Sequence, residues 1–223
     1  MRQIIKGQIP PLLSEYKRTP NATYDGFSAK NDVRDAFIQE QKGLCAYCSG
    51  RIANIWNADL NDYKTTIEHY KSRTDFPNLQ LEYSNMLGVC NGTISGNSKN
   101  ILHYDKKRGS KTLTINPLSK NGELQIKYSL NGIISSENDA IQHDIDVNLN
   151  LNVRHLVQNR KMLIDTANQR MKSNFPKKTN EPWTKAEIEK EIRYWNETNQ
   201  KGNLRPFCQA AIAYLQNKLR RIK

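Results

Sequence analysis

Residues 44–52 read LCAYCSGRI. The stretch places Cys45 and Cys48 in a C-x-x-C, with Ser49 and Gly50 behind them. A structural zinc takes four nitrogen or sulfur ligands in a tetrahedron. This knuckle supplies two, with Gly50 letting the chain turn sharply behind it, and the chain has no second C-x-x-C. Cys90 is the natural third ligand, at the end of a strand-like run, and His103 is the expected fourth. Cys208 stands in a helical pattern beside Phe207 and reads as a half-buried helix cysteine. A redox C-x-x-C expects a βαβ setting. Here short segments broken by Asn, Gly, Ser and Pro surround the motif, which favours the metal reading.

Composition narrows the partner. The 223 residues carry 34 Lys and Arg against 22 Asp and Glu, a formal charge of +12. An excess of that size points to a polyanion, and nucleic acid is the usual one. No apolar run approaches the ~20 residues of a bilayer-spanning helix. The opening MRQIIKGQIPPLL lacks a signal-peptide pattern. Four cysteines with one tight pair fit reduced thiols, so a cytoplasmic location is expected.

The chain divides into three expected parts: residues 1–43 as a lead segment and helix, 44–139 as a core with a hairpin, and 140–223 as a helical region. The first part has Pro10, Pro11 and Pro20 and room for a short helix at most, followed by a helix over 32–42 capped by Asn31 or Asp32 and stopped by Gly43. Thr65 to Tyr70 and Asn85 to Cys90 read as short strands, and Lys99 to Arg108 as a short helix. ELQIKYSLNGIISS alternates apolar and polar residues before Asn131-Gly132, a type I′ hairpin signal. Val153, Leu156, Val157, Met162 and Leu163 mark a long helix. Thr184 and Glu187 form a capping box for the next, and Phe207, Ala211, Tyr214, Leu215 and Leu219 mark a last one. The stretch NFPKKTNEPW, 174–183, reads as the joint between helices. The fold class expected is α+β, predominantly helical.

Between Cys48 and Cys90 sits TTIEHYKSRTDFPNLQLEYSNMLGVC, and LHYDKKRG follows. Phosphodiester hydrolysis needs a base for water, a cation on the phosphate and groups that aim both. A histidine neutral near pH 7 takes the proton from water. A divalent ion polarises the phosphate. An asparagine side chain can fix the imidazole through a hydrogen bond, and a carboxylate such as Asp105 or an imidazole such as His103 can hold the ion. His143 reads as a loop residue and His155 as a helix-surface one.

Taken together, CAYCSGRI, IEHY, YSNML, Cys90, HYDKKRG and INPL resemble the HNH endonuclease family with its ββα-metal core, over about residues 44–118. The likeness is nearest to the HNH subunits of retron-associated and Septu-type anti-phage systems, and NLNLN at 148–152 fits that group. The resemblance implies His69 as general base, Asn85 as its orienter and Glu68 as a contributor to the ion site. It implies Asp105, with His69, at a catalytic Mg or Mn, and an ATPase subunit as partner. Lys106, Lys107 and Arg108, with Lys71 and Arg73, are the expected nucleic-acid contacts. DNA is the first substrate candidate and RNA the second. The family's usual H-C-D ending reads His103-Tyr104-Asp105 here. Tyrosine is a poor zinc ligand, so either His103 turns into the zinc shell beside Cys45, Cys48 and Cys90, or the site keeps three ligands. Two rival readings keep the cysteines and the charge but not the chemistry: a zinc-stabilised nucleic-acid-binding module, and a non-catalytic subunit that docks an ATPase through its helices.

Overall fold

The computed structural model describes residues 1–58, 61–92, 108–119, 124–178 and 181–222. His103, Tyr104, Asp105, Lys106 and Lys107 lie outside the described residues, as does nearly all of the helix expected over 99–108. The fold is α+β, with long helices and three two-stranded antiparallel sheets among the described residues. Among them no helix is long and apolar enough to cross a membrane.

The lead segment forms α1 (Pro11–Tyr16), with proline at its first turn, where a missing N–H costs nothing. Helix α2 (Lys30–Glu40) begins earlier than the sequence implied. Its N-cap is Ala29, which makes no side-chain cap, and Asp32 falls in the first turn, where its charge suits the helix dipole. The chain leaves α2 through left-handed Lys42 and Gly43, and the Gly43 N–H donates to the Ile38 carbonyl at 2.7 Å. A minor ribbon, β1 (Trp56–Asn57) with β2 (Asp62–Tyr63), leads into the main one.

The main ribbon pairs β3 (Thr65–His69) with β4 (Met86–Cys90), from Thr65↔Cys90 to His69↔Met86. Strand alternation gives it two buried faces. Ile67 and Met86 pack with Leu13, Val33 and Phe37 of α1 and α2. Leu87 and Val89 pack on Cys45, Tyr47 and Ile52 of the knuckle. The outer edge of β4 at Gly88 is closed by Gln41. That side chain donates to the Gly88 carbonyl at 2.7 Å and accepts from the Gly88 N–H at 2.7 Å. The Ala46 N–H donates to the same carbonyl at 3.1 Å. Glycine is needed here, since a Cβ would meet the Phe37 Cβ at 2.8 Å.

Strands β5 (Lys127–Tyr128) and β6 (Ile134–Ser135) form the expected hairpin, but not through a tight type I′ turn. The loop is longer, and of Asn131 and Gly132 only Gly132 is left-handed, at φ +86°. The loop is fastened to a long helix, α4, instead: the buried Arg160 Nε donates to the Gly132 carbonyl at 2.6 Å.

Four helices complete the chain. Helix α3 (Asp139–His143) is capped by Asn138 and runs into a π turn, Asp144–Asn148. Helix α4 (Arg154–Asn174), α5 (Lys185–Asn196) and α6 (Cys208–Leu219) share a core around Ala167, Met171, Ile188, Trp195, Cys208 and Leu215. Thr184 and Glu187 make the full capping box of α5. Cys208 is wholly buried rather than half-buried. The joint between α4 and α5 is tied at its ends, with Trp183 Nε1 donating to the Phe175 carbonyl at 3.0 Å and Lys177 paired to Glu187 at 2.9 Å. The side-chain clusters cross the three expected parts: Leu13 and Phe37 pack with Ile67 and Met86, and Leu44 packs with the three last helices.

A Cβ at position 132 would stand 2.2 Å from the Val157 carbonyl oxygen and 2.8 Å from the Lys161 nitrogen. Gly132→Ala therefore combines a left-handed alanine with a backbone collision. It should lower the urea unfolding free energy by about 2 kcal/mol or more, with the slope unchanged.

Candidate functional site

The knuckle brings three thiols together. The Sγ atoms of Cys45, Cys48 and Cys90 all lie within 4.8 Å of one another, and those of Cys48 and Cys90 are 3.6 Å apart. Tetrahedral thiolates at ~2.3 Å from a zinc ion stand about 3.8 Å apart, so the three positions fit such an ion. The turn is built differently from the expectation. The left-handed residue is Ser49, φ 63°, rather than Gly50. The Ser49 N–H donates to the Cys45 carbonyl at 3.1 Å, and its own carbonyl accepts from the Phe207 N–H at 2.8 Å, which together hold a conformation that serine disfavours. The Gly50 N–H then donates to the Cys48 Sγ at 3.3 Å.

The thiols influence one another's charge. Burial opposes ionisation of Cys45, but hydrogen bonds from Cys48 and Cys90 outweigh it and hold Cys45 well below the ordinary thiol range. Hydrogen bonding to Cys45, and then to Cys90, holds Cys48 well above it. Cys208 is not in this cluster. His103, the expected fourth ligand, lies outside the described residues.

The second constellation stands at the other end of the same ribbon. His69 closes β3 and is mostly buried, facing an open cleft of about 720 Å³ whose polar wall includes Asp25, Ser72, Arg73, Thr74 and Ser110. Its Nε2 lies 2.9 Å from the Gln80 carbonyl oxygen. A carbonyl only accepts, so Nε2 carries the proton, and a neutral ring keeps its lone pair on Nδ1. The ring also meets Tyr24 edge to face, with centroids 4.6 Å apart.

Asn85 works one step further back than the sequence implied. Its Oδ1 accepts from the Lys71 N–H at 2.8 Å, and its Nδ2 donates to the Lys71 carbonyl at 3.0 Å and to the Leu79 carbonyl at 3.3 Å. Its side chain clamps the loop that follows His69 and carries Gln80. The imidazole itself is held by Gln80.

Glu68 points to the opposite side of β3 from His69, as strand alternation requires. It forms a buried ion pair with Arg108. Arg108 was expected to contact phosphate, but its side chain is 1% exposed and its guanidinium is spent inside the fold. It donates to Glu68, to the His69 carbonyl at 3.2 Å, to the Tyr70 carbonyl, and through Nε to the Lys111 carbonyl at 2.8 Å. Arg108 thus braces the strand end that presents His69.

Lys71 is exposed, with its ammonium 5.1 Å from the Phe76 ring centroid. Arg73 is half exposed, paired to Asp25 at 2.7 Å and stacked on Tyr24 at 4.6 Å. That pair lowers the Asp25 pKa, chiefly by the hydrogen bond from Arg73. Tyr24, Gln80 and the bracing role of Arg108 were not visible in the sequence. Tyr24 reaches the cleft from a lead segment without periodicity, Gln80 acts through its backbone, and nothing marked Arg108 as turned inward. His143 and His155 lie outside both constellations, but His143 is the exposed last residue of α3 rather than a loop residue, and His155 is half-buried on α4 rather than on its surface.

Against models of known protein families the chain finds no match, and none of the curated proteins compared with it matches.

Removing Arg108 strips a buried cation and four hydrogen bonds from the strand end. Arg108→Ala should cost about 3–5 kcal/mol in a denaturant titration, the usual effect of breaking a buried pair. Arg108→Lys, which keeps the charge but not the fork, should fall in between.

Proposed function

We propose that the chain is a metal-dependent endonuclease of HNH type, hydrolysing phosphodiester bonds of nucleic acid, DNA before RNA. The observation that carries this is the state of His69: a strand-end imidazole at an open polar cleft, with Nε2 tied to a carbonyl so that Nδ1 holds the lone pair. That is the form a general base needs, and the Gln80, Asn85 and Tyr24 contacts keep it aimed. Support also comes from the antiparallel ribbon, which places His69 at one end and the three thiols at the other, as a ββα-metal core would.

In this reading Cys45, Cys48 and Cys90 hold a structural zinc, with His103 the fourth ligand. The zinc would fix the knuckle against β4 and do no chemistry. A Mg or Mn ion would supply charge on the phosphate. The described carboxylates that line the cleft do not make a site for it, because Asp25 is paired with Arg73 and Glu68 with Arg108. Asp105 is the residue assigned to that ion, with His69. What the described residues do is specific: His69 takes the proton of the attacking water at Nδ1, Gln80 sets the tautomer, and Asn85 and Arg108 hold the backbone on which His69 stands. An ATPase subunit as partner, in an anti-phage complex, follows from the family likeness.

His69→Ala should reduce Mg- or Mn-dependent cleavage of DNA by a hundredfold or more, as loss of a general base does. Nucleic-acid affinity should stay within about twofold of the parent, because the phosphate contacts remain. Full cleavage by the variant would overturn the assignment and leave a binding module.

Elemental analysis of protein purified without chelators should give about one zinc per chain. Cys90→Ser should lose the metal and lower the melting temperature. No zinc in the parent would mean that the thiol cluster stands as a reduced core.

A further inference from the structure

Two cations that make no ion pair among the described residues, Lys218 and Arg221, meet far along the chain from His69, in the wall of one cavity at the end of the last helix. Lys218 on α6 lies with its ammonium 4.8 Å from the centroid of Trp183 and 5.2 Å from that of Tyr214. Burial lowers its pKa first, and the nearby charges of Arg221 and Lys172 lower it further. Among the described residues none of Lys172, Lys218 and Arg221 makes an ion pair. The one carboxylate in the cavity wall among the described residues, Glu181, is turned to Lys177 at 3.7 Å. Lys218 and Arg221 share the cavity wall and repel one another, and a bound anion would relieve this.

The same place has an apolar wall. A cavity of about 380 Å³ is lined by Pro182, Trp183, Ile188 and Ile222 together with Lys218 and Arg221. It is large enough for one nucleotide-sized group. The Trp183 indole is not free to swing, because its Nε1 donates to the Phe175 carbonyl at 3.0 Å. A fixed aromatic face beside unpaired cations is the arrangement that takes a base by stacking and its phosphate by charge. An inorganic anion would not use the apolar wall. A duplex would keep its bases stacked inside, out of reach of an indole.

We propose that this cavity is a second nucleic-acid contact, which takes an unpaired base on Trp183 and the adjacent phosphate on Lys218 and Arg221. It selects single strands and stands apart from the cleft of His69. It goes beyond the hydrolytic reading and does not depend on it.

The test is binding rather than cleavage, with the full chain and no added magnesium or manganese. A fluorescein-labelled oligothymidylate and a blunt duplex of the same length are titrated by anisotropy over a range of salt. Trp183→Leu should weaken the single strand about tenfold, as loss of one stacked base does, and leave the duplex within about twofold. The double variant Lys218→Gln with Arg221→Gln, at the half-buried and exposed positions of the last helix end, should weaken the single strand about tenfold. It should also flatten the salt dependence by roughly 1.4 log units per log unit, the loss of two phosphate contacts. Thermal melts confirm folding of each variant. The site is overturned if the glutamine variant binds the oligothymidylate as the parent does. It is also overturned if both variants lose single and double strands equally, or if they lose capture by anionic lipid vesicles while keeping the oligonucleotide. A loss of cleavage in His69→Ala with these affinities unchanged would separate the two sites.

Discussion

A sheet of two strands is all edge, and an unpaired backbone group at a buried edge costs as much as a lost hydrogen bond. The β3–β4 ribbon is buried on both faces, so its edge must be closed by something other than a third strand. Gln41 does this. Its amide takes both polar groups of Gly88 and also donates to the Leu44 carbonyl at 2.8 Å, joining the end of α2, the start of the knuckle and the middle of β4. Because Gly88 has no side chain, α2 comes close enough for this bond. The thiol cluster and His69 stand on either side of that junction, so their separation along the ribbon depends on it.

The knuckle is held from outside as well as from the ribbon. Arg51 donates to the Gly43 carbonyl at 3.0 Å and also to the Leu204 carbonyl, while the Leu204 and Phe207 N–H groups donate back to Lys42 and Ser49. The loop before α6 therefore reads as part of the thiol cluster's frame, although it lies some hundred and fifty residues away in sequence. Phe207 takes a left-handed conformation, φ 56°, to make this contact. Backbone strain of that sort persists where the surroundings over-determine it. Here the surroundings are the knuckle turn on one side and the buried Cys208 on the other.

Much of this was legible in the sequence where a short-range rule applied. The strands around His69 and Cys90 follow alternation, the capping box of α5 follows Thr184 and Glu187, and the three-thiol cluster follows cysteine spacing with one strand-end partner. What was not legible depends on long-range packing. The Asn131-Gly132 turn opened because Arg160, twenty-eight residues on, binds Gly132, and tertiary contact overrode the local preference. Glu68 and Arg108 looked like site residues because charge next to a candidate base invites that reading. Their mutual burial depends on how residues forty apart meet, which no local pattern records. Asn85 was recognised as belonging with His69, but its hydrogen bonds go to the loop backbone, since the ring already has the Gln80 carbonyl.

The charge distribution then bears on how the two candidate nucleic-acid surfaces divide the work. The chain carries a formal +12, yet Arg73 in the described wall of the His69 cleft is answered by Asp25, and Glu68 of that wall is taken up by the buried Arg108. The Asp25–Arg73 pair is solvent-exposed, where such pairs contribute little, and an arriving phosphate can displace the carboxylate at small cost. Arg108 cannot be recruited in that way, because its guanidinium holds up the strand. The described cleft is therefore a place where a phosphate can be handled but is only weakly attracted. In the two readings proposed above, attraction falls to cations outside that wall, and Lys218 and Arg221 are two of them among the described residues.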